Sequence, residues 1–264
     1  MDKSQMISLF DQYQRRDITY PGMRREVTPF VVRHIDASET GLGLIVYSRI
    51  NELNAEDSIH EQVNFFEDIK QDFKWKVYDF DKPSDLKERL ASHGFIINEP
   101  EAIEVLDLED APEILWHPIR HNVQRITEPK KLLDVQTIEQ QVWNEDSSWV
   151  LQYLGEALTN YPDQMSVYIA YVDEQPAGAG WIYFPEHSQF ASLWGGATVR
   201  RFRKQGIFTA LVATRAQEAK ARQVRYLTVD AMPMSRPILE KHGFELLAYV
   251  YPCEWKSQNQ KETK

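Results

Sequence analysis

Apolar positions along this chain follow two rhythms, spacing of three and four and strict alternation, and the switches between them divide it into short helices and strands. Met6, Ile7, Leu9, Phe10 and Tyr13 form a helical stripe that Tyr20-Pro21-Gly22 ends as a turn. Residues 29–35 and 42–49 have strand composition, and Asp36 to Gly41 between them predicts a hairpin. Asp57-Ser58 predicts the cap of a helix carrying Ile59, Val63, Phe66 and Ile69; residues 75–80 then predict a strand, and Pro83-Ser84 a helix running to His93-Gly94. Downstream, residues 123–127 predict a strand. Val135, Ile138 and Val142, then Trp149, Leu151, Leu154 and Leu158, predict two helices separated by Asn144 to Ser148. Residues 164–172 and 177–184 alternate around a hairpin loop at Asp173 to Pro176, and residues 190–199 continue the sheet. Ile207, Phe208, Leu211 and Val212 mark a helix; a strand at 225–230, a helix at 235–242 and a closing strand at 244–255 complete the order.

One six-residue pattern, L-x-x-H-G-F, occurs twice, at Leu90 to Phe95 and at Leu239 to Phe244. Each copy follows a helix, a strand and a second short helix, which points to duplication of one supersecondary unit rather than coincidence of two helix ends. The matched glycine suits a left-handed C-cap, and the Phe would staple the exit strand to the core. His93 and His242 then fall at helix C-termini, where capping is the expected role. The two prolines between Asp110 and His121 mark the boundary, giving domains 1–112 and 122–264.

Composition narrows the functions available. The 264 residues suffice for two domains, and the hydrophobic content of 42% is that of a folded soluble chain. A formal net charge of −10 argues against general nucleic-acid binding, which needs a basic face. The single cysteine, Cys253, excludes an internal disulfide and any multi-cysteine metal site; its place in the closing strand suggests core packing. No H-E-x-x-H spacing or similar occurs, so no metal is expected. With no apolar leader or membrane-length run, the expected location is the cytoplasm.

In this acidic chain Arg200, Arg201, Arg203 and Lys204 cluster immediately before Gly206, at a strand-to-helix junction. A helix start offers unpaired N–H groups and the positive end of the macrodipole, and glycine permits close backbone approach, so a pyrophosphate site is expected. The run Arg203-Lys-Gln-Gly206-Ile-Phe208 resembles the R/Q-x-x-G-x-G/A loop of the GNAT family of N-acetyltransferases. Phe208 departs from the Gly or Ala usual at the sixth position.

The resemblance covers most of the second half and implies tandem α/β GNAT-like domains, each a mixed, mostly antiparallel sheet flanked by helices. It implies acetyl-CoA as acetyl donor, bound along Thr198 and Val199 and by Arg203, Lys204, Gln205, Gly206, Ile207, Phe208 and Thr209. It also implies transfer by direct attack of an amine, small or on a protein, with the acceptor site shaped by the two helices after Val123. Gly195-Gly196 fits the family's bulge before the loop, and fits equally a packing accommodation under Trp181 or Trp194. The family's usual acid, a Tyr five residues before the Phe of the Gly-Phe pair, is replaced by Leu239. Ser235, which is also an ordinary N-cap candidate, and Tyr251 are the substitutes, with Tyr249 as a further alternate. The first half has acidic Asn51 to Asp57 where the basic turn would be, and is expected to be a degenerate copy that binds no CoA. Only one strand follows Phe244, so either residues 102–108 or a second copy of the chain in a homodimer is expected to cover the sheet edge. The alternative function is a non-catalytic acyl-CoA-binding or regulatory protein; a plain interaction module is the third.

Overall fold

Strand pairing gathers the alternating segments into mixed β-sheet within each of two units. The computed structural model describes residues 1–38 and 41–257. The first unit takes Met1–Ile103 and the chain from Leu247 onward; the second takes Glu104–Leu246. The expected boundary at 112–122 therefore falls inside the second unit, and the closing strand belongs with the first.

The first unit begins with Lys3–Phe10 (α1). Asp2 accepts the Gln5 N–H at 2.9 Å and the Gln5 side chain accepts the Asp2 N–H in return, a capping box. After a π-helical turn at Asp11–Arg16 come Met23–Val27 (β1), Val31–Asp36 (β2), Gly43–Ser48 (β3), Ala55–Asp68 (α2), Phe73–Tyr78 (β4), Leu86–Ser92 (α3) and Ile96–Ile97 (β5). β2 and β3 form the expected hairpin, and β1, which the pattern did not predict, adds an antiparallel edge to β2. β3 and β4 are parallel, with α2 as their crossover. Within the unit, Ile45, Phe66, Phe73, Trp75, Leu90, Phe95, Cys253 and Trp255 share one buried cluster, so the lone cysteine is core. Arg15 is buried here too, donating to the Val46 carbonyl at 2.8 Å and to both Asp81 oxygens at 2.7 and 2.9 Å.

α2 does not start from Asp57-Ser58. Its N-cap is Asn54, because the Asn51 N–H donates to the Asn54 side chain at 2.8 Å and the Leu53 N–H to the Asn51 side chain at 2.9 Å, closing a turn three residues earlier. Glu56 and Asp57 thereby fall in the first helical turn.

Glu101–Asp107 (β6) straddles the boundary at Glu104. The second unit continues through Asn122–Ile126 (β7), Leu132–Trp143 (α4), Trp149–Asn160 (α5), Met165–Val172 (β8), Gln175–Tyr183 (β9), Phe190–Thr198 (β10), Ile207–Ala221 (α6), Tyr226–Ala231 (β11) and Arg236–Lys241 (α7). Its strand order is β6-β11-β10-β9-β8-β7, with β10 and β11 parallel and the pairs β7–β8, β8–β9 and β9–β10 antiparallel. The β8–β9 loop is tighter than expected. Asp173 and Glu174 alone turn the chain, at φ 47° and 61°, and Gln175 is already strand. The edge strand expected from residues 102–108 is β6, beside β11. The final strand, Glu245–Trp255 (β12), pairs antiparallel with β4 rather than folding back as a hairpin.

The two L-x-x-H-G-F copies have one geometry. The Phe95 N–H reaches the Leu90 carbonyl and the Phe244 N–H the Leu239 carbonyl, both at 3.2 Å, while Gly94 and Gly243 donate three residues back at 3.1 Å. These are Schellman caps, with Gly94 at φ 85° and Gly243 at φ 88°. Each histidine bonds the first turn of the preceding crossover helix: His93 Nε2 lies 2.8 Å from Glu56 Oε2, and His242 Nε2 lies 3.0 Å from Thr209 Oγ1. The surroundings differ. A Cβ on Gly94 would meet nothing within 4 Å, whereas one on Gly243 would lie 2.7 Å from Pro112 Cδ. Gly94→Ala is therefore expected to cost about 1 kcal/mol from left-handed strain alone, and Gly243→Ala distinctly more. Paired urea denaturation curves check this, and equal losses would contradict it.

Candidate functional site

Parallel pairing of β10 and β11 forces a crossover, so α6 begins at the carboxyl edge of the sheet, where open α/β sheets bind ligands. Its N-cap is Gly206 at φ 82°; no side chain caps its free N–H groups and no acid lies in its first turn. A Cβ at Gly206 would sit 3.2 Å from the His121 ring, whose Nε2 donates to the Gln205 carbonyl at 2.8 Å. Lys204 also has positive φ, 62°, an uncommon state for a side-chain-bearing residue. Arg203 Nε donates to the Thr198 carbonyl at 3.1 Å, tying the turn to the end of β10. Among the described residues neither Arg203 nor Lys204 forms an ion pair, and both are exposed. Two cations and an uncapped helix start thus face the same opening.

That opening is a cavity of about 320 Å³ within the second unit. Seven of the nine expected donor-binding residues line it: Thr198, Arg203, Lys204, Gly206, Ile207, Phe208 and Thr209. Ser235 lies on the same wall. The other two do not line it: the Val199 N–H bonds the Ala177 carbonyl at 2.9 Å, and Gln205 supplies the carbonyl that His121 holds. Thr198 is 9% exposed, and its hydroxyl has no hydrogen-bond partner among the described residues. Ser235 occupies the N-cap position of α7 but makes no side-chain cap; its hydroxyl donates to the Met232 carbonyl at 3.1 Å. Tyr251 lies on β12 in the first unit, with the Lys87 ammonium 3.5 Å from its ring centre, so the cavity's unit does not contain it.

β10 breaks register with β9 between Trp194 and Ala197, leaving Gly195 and Gly196 out of the ladder. Both roles considered for this pair have physical content. Gly195 is at φ 59° and any Cβ there would run into the Trp181 ring, a packing demand. Gly196 lines the cavity, where its Cβ would lie 3.0 Å from the Phe208 ring. Phe208 thus uses the space that Gly196 leaves.

Three residues here went unnoticed in the sequence. His121 lay in the stretch marked as a boundary. Glu139 and Arg215 stand four residues after Val135 and Leu211, on apolar stripes where charge is out of place, and that misfit was the available signal. Glu139 on α4 is 5% exposed; one oxygen accepts the Trp143 indole N–H at 2.8 Å, and the other has no partner among the described residues. Burial pushes its pKa up to about 7, against a smaller lowering by Trp143, itself a wall of the cavity. Glu139 can therefore exchange a proton near neutrality. No group of His, Cys, Asp and Glu among the described residues could hold a metal, and no helix there is long and apolar enough to cross a membrane.

Residues 130–244 match the model of the acetyltransferase (GNAT) family. No curated protein matches the sequence. The fold is similar to that of a GCN5-related N-acetyltransferase from Kribbella flavida, with a TM-score of 0.66 and 13% identity over 96% of this chain and 93% of that one. It is similar also to a functionally unknown conserved protein from Staphylococcus epidermidis, with a TM-score of 0.67 and 14% identity over 91% and 98% of the two chains. A tandem GNAT protein from the clavulanic acid biosynthesis pathway gives a TM-score of 0.61 and 12% identity over 90% and 85%. At such identities the likeness establishes the fold: a tandem arrangement of mixed, mostly antiparallel sheets flanked by helices.

The raised pKa of Glu139 ties stability to pH. Its neutral form suits the folded state, so its contribution is complete below the ordinary carboxylate range and is lost as pH rises through about 7. Glu139→Gln is expected to shrink the fall in unfolding free energy between pH 5 and pH 8. Urea titrations at both pH values measure it; an unchanged difference would contradict burial of a titrating carboxyl here.

Proposed function

We propose, from the match of residues 130–244 to the GNAT acetyltransferase model, that the protein transfers an acetyl group from acetyl-CoA to a primary amine, by direct attack of the amine on the thioester. The observation that carries this is the uncapped start of α6, with Gly206 in the left-handed region and Arg203 and Lys204 free of ion pairs. The residues present fit a CoA pyrophosphate: backbone N–H groups with no Cβ before them, two cations, and an unpartnered Thr198 hydroxyl on the same cavity. Acetyl-CoA, when bound, supplies the activated acyl group.

The chain's own groups divide the remaining work. Glu139, held by a wall residue of the cavity, takes the proton that a cationic amine must lose before it becomes a nucleophile. The register break at Gly195-Gly196 frees backbone from the ladder beside the cavity, where N–H groups serve a developing oxyanion. Leu239, buried at the position of the family's usual Tyr, offers no proton to the leaving thiolate. Ser235, one of three hydroxyls on the cavity wall with Thr198 and Thr209, is the candidate for that purpose.

The test begins with CoA binding by calorimetry. Gly206→Glu is expected to abolish binding with the fold retained by circular dichroism, because a carboxylate at the helix start blocks and repels the phosphates. Arg203→Ala should weaken it by less, on the order of tenfold for one charge-assisted contact. Unchanged affinity in Gly206→Glu would remove the donor from this cavity. Thiol release over a panel of amines then separates an enzyme from an acyl-CoA-binding protein, which would bind and never turn over.

A further inference from the structure

The most deeply buried cation in the second unit is Arg215, on α6, 1% exposed. Its Nε donates to the Leu211 carbonyl at 2.9 Å, and its Nη1 to the carbonyls of Trp181 and Trp194, both at 3.2 Å. Trp194 and Trp181 are partners in the last register position before the ladder breaks at Gly195-Gly196. The guanidinium therefore sits where β9 and β10 part. Among the described residues it forms no ion pair. Glu218, the nearest acid along the helix, is occupied by Arg222, Ser166 and Tyr168.

Two glycines accommodate this cation. A Cβ on Gly180 would lie 3.0 Å from Cζ and Nη1 of Arg215, and one on Gly196 would lie 3.9 Å from its Nη2. Gly196 is also part of the cavity wall, so the positive charge stands directly behind that wall. Burial lowers the Arg215 pKa to about 10, which still leaves it charged at neutral pH. A buried ion without a counter-ion is costly, and an apolar side chain of similar size often serves packing as well or better. Packing alone does not explain Arg215.

We propose that Arg215 is a positioning residue for acyl transfer, holding open the register break of β10 through the Trp181 and Trp194 carbonyls and placing an unneutralised positive charge behind the wall against which the thioester oxygen becomes anionic. The proposal rests on the acetyl-CoA reading of the cavity, and its electrostatic half follows from the greater strength of charge interactions in a dry interior.

Arg215→Met removes charge and donors, Arg215→Lys keeps the charge, and Gly180→Ala crowds the intact guanidinium should Arg215→Met fail to fold. Infrared spectra of acetyl-CoA labelled with ¹³C at the thioester carbonyl are recorded free and bound. The wild-type protein is expected to lower the bound carbonyl stretch; Arg215→Met should return it toward the free value, with Lys and Gly180→Ala between. CoA affinity should change little. With an amine found in the panel, Arg215→Met should lose about 10²-fold in kcat with KM for acetyl-CoA nearly kept, the size expected for one oxyanion interaction. A wild-type carbonyl frequency in Arg215→Met, or in a Gly180→Ala protein shown to displace the guanidinium, would overturn the proposal. NMR of the unliganded proteins decides the positioning half independently: Gly195 and Gly196 amide shifts should move in Arg215→Met, and an unmoved bulge would overturn it. If wild type binds no CoA, the functional reading fails, while that NMR result still decides whether Arg215 holds the break.

Discussion

A helix that begins with bare amides must have them satisfied by something, and in α6 no side chain does it. The rest of the second unit follows from this constraint. Parallel strands require a crossover, the crossover brings the helix start to the carboxyl edge of the sheet, and a left-handed Gly206 lets the chain turn into the helix without covering it. Arg203 fastens the turn to Thr198, and His121 closes beneath Gly206 and holds the Gln205 carbonyl. The contrast with α1 is direct. There Asp2 and Gln5 satisfy the first amides with their own side chains, and the helix start is finished.

The first unit repeats the strand, crossover, strand and short helix, down to the Schellman cap and the histidine within it, and it differs where the chemistry would be. His242 bonds a neutral Thr209; His93 bonds Glu56, a carboxylate in the first turn of α2 that Arg89 also holds at 2.9 Å. The negative charge that suits a helix start is supplied from within the chain. The scaffold of the duplicated unit persists because its cap and buried Phe stabilise the fold on their own account, independent of any ligand.

What could be read from the sequence was whatever is decided locally. The alternation of β2, β3, β8 and β9, the stripes of α4 and α5, and the paired glycine caps are properties of a few neighbouring residues, and each was legible. The start of α2 was not, because it rests on two side-chain bonds, from the Asn51 N–H to Asn54 and from the Leu53 N–H to Asn51, whose worth depends on turn geometry. Strand β1 was missed for a similar reason: Met23-Arg-Arg-Glu-Val27 has no apolar face, and only its partner β2 makes it a strand. Strand assignment between units is non-local as well. Nothing in residues 245–255 says that they pair with β4, although the shortage of strands after Phe244 did show that another segment must lie beside β11. In the site, the loop was legible from its cations and glycine, while Arg215 and Glu139 look from their spacing like apolar positions that happen to be charged.

Those two residues also distinguish the units energetically. The first unit buries Arg15, and it neutralises that charge with a bidentate Asp81 and with Asp11, the arrangement a fold needs when charge is buried for structure. The second buries Arg215 with no acid and Glu139 with no cation, and although Glu104 there is fully buried, Arg236 stands 3.3 Å from it. Stability alone would favour pairing or replacing an isolated buried charge, since desolvation costs several kcal/mol for each ion. The two left unpaired stand against the cavity, Arg215 behind Gly196 and Glu139 behind Trp143. These unpaired buried groups are found in the unit whose crossover helix has no acid in its first turn and not in the unit whose crossover helix carries Glu56 and Asp57 there, which is the distribution expected if one half retains the chemistry and the other only the fold.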